Sequence, residues 1–423
     1  MIRTLCLAAI AALTLSLSAA AQDLAITNAK VWTGTNAGTL NSATVIIIDG
    51  KITGVGINLA PPSDMRTINA DGKWLTPGII AGFTRVGIVE VGAEDSTNDT
   101  RASGIDYSVT LRASDGFNPA ATTIPVTRIE GITTIMVAPG HSGDLIAGQG
   151  FIADTSGAPG SISHERAFLY IDLGERGALL SGGSRPAAWA FLRGAFADAR
   201  NYPGRYIANN QGDSLTRADA QAFGRAARGQ QLILIGAHRA SDLRKIIALK
   251  QEYPNLNLAI VGADEGWLVA AELASADIPV IIDPFSNLPA SFAQLGATAQ
   301  NAQRLIEAGV TTAFAHLGDD SHQARLTPQS AGNAVANGLS FDDAMAAITS
   351  TPAAIFNLDD HGTIAIGNAA DLVLWDGDPL EVMSAPTLIL IDGQEQSLES
   401  RQTKLRDRYM DLDESQQPLA YKR

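Results

Sequence analysis

From residue 232 onward the chain repeats one pattern, a short apolar run followed by a stretch with helical periodicity. The apolar runs fall at 232–235, 258–261, 278–282 and 310–315, with helical stretches at 241–252, 265–274 and 298–308 between them. Strands covered on both faces carry continuous rather than alternating apolar residues. A helix between two of them returns the chain so that they pair in parallel. Upstream, 79–81 and 131–139 (GITTIMVAP) read as further buried strands. Helices are expected at 118–129, 186–200 and 215–228, the last capped by Ser214. The pieces GQGFIAD and AFLYID, around a turn rich in Gly, Pro and Ser, read as a hairpin insertion within 141–172. Helices at 328–337 and 341–349 follow the last strand. The expected fold is α/β, with a TIM-like (β/α)8 barrel over residues 76–357.

The two ends of the chain share a different style. Residues 24–69 alternate β-rich runs and turns, with Asp49-Gly50 as a hairpin signal. Similar runs return at 362–367 (GTIAIG), 370–375 (ADLVLW) and 387–392 (TLILID). Such bookends pair, so residues 22–75 and 358–397 are expected to form one small composite β-sandwich domain. A charged helical tail over 398–423 follows it.

With 423 residues, 46% of them hydrophobic, the chain is long enough for a barrel and an accessory domain. Its 44 acidic and 30 basic residues give a net charge of −14 without any basic stripe. Nucleic acid and anionic membranes are therefore excluded as partners. Arg3, an apolar run over 5–17 and Ala19-Ala20-Ala21 make residues 1–21 a signal peptide, cut after Ala21. A periplasmic or secreted location follows, with no membrane attachment after cleavage. Cys6 is the one cysteine and falls inside that leader. The mature chain then has no thiol for a disulfide, a metal or nucleophilic attack.

The stretch from Asp71 to Gly87, DGKWLTPGIIAGFTRVG, joins the sheet domain to the first barrel strand. It resembles the signature of the metal-dependent amidohydrolase superfamily, where Pro-Gly-hydrophobic-Ile-Asp precedes a His-x-His metal pair. GTIAIGNAADLVLWDGDPL, AKVWTG and DGKITGVG resemble the family's two half-sheets in the right order. The closest likeness is to the exported imidazolonepropionase-like branch. On that pattern Pro77, Gly78, Ile79 and Ile80 match, but Ala81 replaces the Asp, and Phe83 and Arg85 replace the two His.

The resemblance implies catalytic groups at the C-terminal strand ends, a divalent metal that lowers the pKa of bound water, and an Asp that takes its proton. Carried over by residue, the fifth-strand His falls on Gly236, with His238 two residues on. The sixth-strand His falls on Gly262, before Asp264 and Glu265. Asp319 best matches the catalytic Asp. The fourth-strand Lys has no match, and Gly182-Gly183-Ser184-Arg185 lies near its place. Zinc needs about three protein ligands and an open position, and none of the six histidines forms an HxH, HxxH or HExxH pattern. The expected metal-ligand set is therefore empty and no cofactor is expected, zinc being required if the hydrolase reading holds.

The candidate catalytic residues are Asp319, His238 and His316; His316 and His322 flank Asp319-Asp320 and would regroup into a new site, with ordinary loop histidines as the alternative. Phe83, Arg85, Arg239, Asp264, Glu265, Asp320 and His322 are expected at the mouth. Arg85 places a guanidinium where the cation would sit. Paired with Asp319, Asp320, Asp264 or Glu90 it substitutes electrostatically for the metal; the alternative points it to solvent. The Gly-rich pieces GHSGDLIAGQG and GINLAPPSD lack phosphate-loop spacing and read as turns. The expected function is an exported amidohydrolase-like protein, silent in the family's hydrolysis of non-peptide or short-peptide C–N bonds. It would bind a small molecule, or act as a homo-oligomer or as a hetero-oligomer with an intact amidohydrolase. The alternative is an active C–N hydrolase with a rearranged or metal-independent site.

Overall fold

The computed structural model describes residues 23–410, apart from 103, 142, 210, 211, 213 and 320. The expected leader with its cleavage point and Cys6, the site candidate Asp320 and residues 411–423 lie outside the described residues.

Two eight-stranded sheets build the molecule. The first begins with β1 (Leu24–Trp32), β2 (Thr39–Ile48), β3 (Lys51–Ile57), β4 (Arg66–Asn69) and β5 (Trp74–Pro77). Asp49 and Gly50 both take positive φ, as a tight hairpin turn between β2 and β3 requires. Barrel strands follow: β6 (Ile79–Thr84), β7 (Ile132–Val137), β8 (Ile146–Asp154), β9 (Ile162–Asp172), β10 (Leu232–Ala237), β11 (Leu258–Gly262), β12 (Val280–Ile282) and β13 (Thr312–Phe314). The first sheet is then completed by β14 (Leu372–Trp375), β15 (Pro386–Ile391) and β16 (Gln394–Glu395).

The first sheet runs β16-β15-β14-β5-β1-β2-β3, with β4 also on β1. Its two halves meet where Leu372 pairs with Pro77, Val373 with Thr76 and Leu374 with Leu75. The expected sandwich takes the form of one continuous sheet from both chain ends. GTIAIG, expected as a strand, is not one. It lies alongside the sheet through Ile364 N to Thr33 O (2.8 Å) and Gly367 N to Ile52 O (2.8 Å), without a ladder.

The second sheet runs β6 to β13 in chain order and is nearly closed into a barrel. GQGFIAD and AFLYID are not an insertion: they are β8 and β9, third and fourth staves of the barrel. β8 runs antiparallel to both neighbours, whereas the remaining adjacent strands are parallel. Between β13 and β6 no ladder forms among the described residues. The turn between helices Phe341–Ala347 and Ser350–Ile355 bridges that seam, where Ile80 N donates to Ile348 O at 2.8 Å.

Helices follow the expected order with shifted ends. The helix at Arg217–Ala227 is capped by Thr216, whose Oγ accepts from Asp219 N at 3.1 Å, and not by Ser214. The helix expected at 265–274 is a 3-10 turn, Gly266–Val269, followed by a short helix, Ala270–Ser275. The charged tail is helical at Arg401–Met410. Among the described residues no helix is long and apolar enough to cross a membrane. A barrel-interior cluster including Ile80, Phe83, Met136, Tyr170, Val261 and Ile281 fills the staves from within.

Candidate functional site

The C-terminal ends of the parallel strands bring together a ring of histidines and carboxylates. Three pairs span neighbouring strand ends. His141, in the loop after β7, has Nε2 at 3.5 Å from Asp172, the last residue of β9. His238, just past β10, bonds through Nδ1 to Asp264, just past β11. His316, after β13, has Nδ1 at 3.4 Å from Asp283, which directly follows β12. An apolar strand ending in a polar residue positions that group at the mouth while the rest of the strand stays in the core.

Two of these pairs, His141–Asp172 and His238–Asp264, differ electrostatically. Burial pushes His141 below its ordinary value, and the charges of Arg85 and Arg176 add to that against the pull of Asp172. Burial also disfavours the charged form of His238, but the bond and charge of Asp264, with Asp172 and Glu175 nearby, raise it above its ordinary value. For Asp264 burial pushes upward. The bonds from His238, Ser286 and Gln294 outweigh it and hold the carboxyl below its usual range. Asp264 is therefore a buried carboxylate held by hydrogen bonds, with the Ser286 hydroxyl donating to its second oxygen.

The positions expected to lack metal ligands are occupied in a particular way. A Cβ at Gly236 would stand 2.8 Å from the Tyr170 hydroxyl and 3.5 Å from Cγ of Asp172. At Gly262 it would stand 2.5 Å from Cε1 of His238, and φ there is +105°. The space a side chain would take at either glycine already holds another mouth residue. Among the described residues no group of three or more His, Cys, Asp or Glu could hold a metal ion. The donors present at these positions do not fit the family's divalent metal.

The remaining candidates are placed as follows. Phe83 is buried and packs edge-on against Tyr170, ring centroids 5.1 Å apart, so it is a core residue beneath the mouth. It joins Ile80 inside the barrel, though three residues away, because the ladder slips between Ala81 and Thr84. Arg85 lies with its Cζ 5.8 Å from the Phe83 ring centroid. Of the acids nominated for it, Asp264 binds His238 and Ser286, and Glu90 accepts from Asn118 at 2.5 Å. Asp319 caps its own turn, accepting from Ser321 Oγ at 2.9 Å and His322 N at 3.0 Å.

No bond among the described residues joins Asp319 to His238 or His316. His322 ties that turn to the first loop, its Nε2 3.1 Å from the carbonyl of Glu90. Arg239 reaches Asp242 at 3.1 Å, and Arg185 binds the other oxygen of Asp242 at 2.9 Å. Glu265, expected at the mouth, is buried and holds two loops, accepting from Ala240 N and Gly296 N, each at 2.9 Å. Asp172, Asp283, His141, Tyr170 and Ser286 were not among the expected site residues. The two acids had a legible signal, each directly following an apolar run (LYID, VIID).

Residues 329–395 match a family model described as Amidohydrolase family. The amidohydrolase from Thermotoga maritima MSB8 superposes with a TM-score of 0.79 at 25% identity, covering 88% of this chain and 99% of that one. Sequence and fold together support kinship with the amidohydrolase superfamily. A curated relative, amidohydrolase tasK of Hapsidospora irregularis, is 24% identical over 88% of this chain. The chain spans 43% of that relative's length. A prolidase solved with N-methylphosphonate-L-proline shares the fold at a TM-score of 0.57 and 17% identity, covering 88% of this chain and 99% of that one.

Proposed function

We propose that this chain is an exported amidohydrolase-superfamily protein that binds a small molecule at the barrel mouth. In this reading it is silent in metal-dependent hydrolysis of non-peptide or short-peptide C–N bonds. The packing at Gly236 and Gly262 carries the reading. An imidazole at either position would have to displace Tyr170 and Asp172, or His238, from the space they fill. With Phe83 and Arg85 at the first-strand positions, fewer than the roughly three protein ligands that zinc needs converge there. Export rests on the leader-like composition of residues 1–21. Assembly with a second copy or with an intact relative belongs to the same proposal.

Metal analysis of the protein, expressed with residues 1–21 and purified without chelator, tests it. Well under one equivalent of zinc, manganese or iron is expected, on a mature chain that intact mass shows to begin at Gln22. A stoichiometric metal that survives dialysis overturns the metal-silent reading. The second reading, a hydrolase with a metal-independent site, has one observation in its favour, the His238–Asp264 pair.

A further inference from the structure

We infer that His238, Asp264 and Ser286 form a metal-independent acid–base site acting on small esters or amides with an apolar acyl group. The three residues come from the ends of three consecutive barrel strands. Ser286 donates to one oxygen of the Asp264 carboxylate, and the other oxygen takes Nδ1 of His238. Asp264 is 5% exposed, so its charge is fixed in place and shielded from water. The His238 side chain is 34% exposed, and its Nε2 has no protein partner among the described residues. A buried carboxylate on Nδ1 fixes the tautomer, so that the neutral ring presents Nε2 as an acceptor.

The seat of the ring is specific. It lies over Gly262, where any side chain would collide with it, and its Cδ2 is 3.8 Å from where a Cβ on Gly174 would stand. The missing side chain at Gly262 thus leaves the space that this imidazole fills, with Gly174 in ordinary contact on its other edge. The loop that carries Ser286 also exposes Phe285, Leu288 and Phe292, the last two at 78% and 84%. On the other side Tyr170 reaches Gly236, packed on Phe83. Apolar surfaces flanking a proton-transfer group suit an apolar acyl chain rather than a charged one.

The step balances without a co-reactant. Water's oxygen forms a bond to the acyl carbon while Nε2 takes its proton. The tetrahedral centre then collapses, the carbon–oxygen or carbon–nitrogen bond to the leaving group breaks, and Nε2 returns the proton to that group. The products are a carboxylic acid and an alcohol or amine, and the imidazole is neutral again. His238 is the catalytic residue, while Asp264 and Ser286 are positioning residues. Because Asp264 raises His238 above its ordinary value, the base form is populated on the alkaline side of about 6.5.

The inference rests on the metal-silent reading, and hydrolysis of p-nitrophenyl hexanoate by the dialysed full-length protein, with and without EDTA, separates the two. The expected result is an EDTA-insensitive rate that rises with pH along the His238 ring titration seen by NMR. His238→Gln lowers it by about 10²-fold. Asp264→Asn moves both midpoints downward together, a change that loose packing alone would not produce, and Ser286→Ala moves them less. The inference is overturned if His238→Gln hydrolyses the ester as fast as the parent, or if the rate disappears with EDTA and returns with zinc. It is also overturned if the NMR midpoint of His238 in the parent lies at or below about 6.5. A metal-free protein with no His238-dependent rate removes this inference and leaves the metal-silent reading standing.

Discussion

At the scale of single residues, glycines at strand ends decide what the mouth can hold. Gly262 combines φ of +105° with a Cβ position 2.5 Å from the His238 ring. An alanine there is strained by its backbone and must also push the imidazole off Asp264. Gly262→Ala should cost about 1–3 kcal/mol, read as a lower urea midpoint with an unchanged m-value. It should also lower the titration midpoint of His238, because the ring loses its carboxylate. An unchanged midpoint would mean that the ring does not lie over residue 262. The sequence displayed these glycines, and their alignment with absent ligands was legible. What filled the space was not, because Tyr170 and Asp172 at Gly236, and His238 at Gly262, lie 24–66 residues away along the chain and meet only in the closed barrel.

At the scale of elements, the repeated strands were legible because each carries a continuous apolar run that nothing but a doubly covered strand explains. β8 and β9 were read as strands but assigned to an insertion, since a hairpin of two antiparallel strands carries no mark that it belongs inside a parallel barrel. Loop attachment was hidden for a different reason: it depends on single buried carboxylates. Asp219, in the first turn of the helix at Arg217–Ala227, accepts from Ser108 N at 3.3 Å and from Thr110 N and Oγ at 2.8 and 2.9 Å. It thereby pins the long loop after β6 to a helix more than a hundred residues later. Asp219→Ala leaves those donors without a buried acceptor, at about 1–3 kcal/mol for each group left unmet. Hydrogen exchange should speed up at Ser108 and Thr110 while β10 to β13 stay protected. Equal protection of the loop in variant and parent would show that the carboxylate does not hold it.

At the scale of the whole molecule, the joint between sheet and barrel is the place where both chain ends meet, and it is built around a buried acid. Asp371 begins the return into the first sheet; its carbonyl accepts from Gly78 N at 2.7 Å, and its carboxylate accepts from Asp392 N at 2.8 Å. Burial pushes this carboxyl up to about 6, against the pull of His361 and with the help of Asp392 and Asp154. His361 stands 3.7 Å away and also binds Asp360 at 2.8 Å, which in turn meets Lys51 at 3.3 Å. The folded value lies above the unfolded one of about 3.9. The protonated acid therefore contributes stability that is whole below about pH 4 and is lost as pH rises through about 6. Above that range the buried charge costs up to about 3 kcal/mol. Asp371→Asn keeps an oxygen for Asp392 N and removes the titration. Its Tm should match the parent below about pH 4 and exceed it by a few degrees at pH 7.5, the difference opening between about pH 4 and 6. Asp144, also pushed by burial to about 6, gives the same slope to both proteins and cancels. A Tm difference that is constant across that range would show that Asp371 does not change its charge there, and the joint would then owe its pH response to another group.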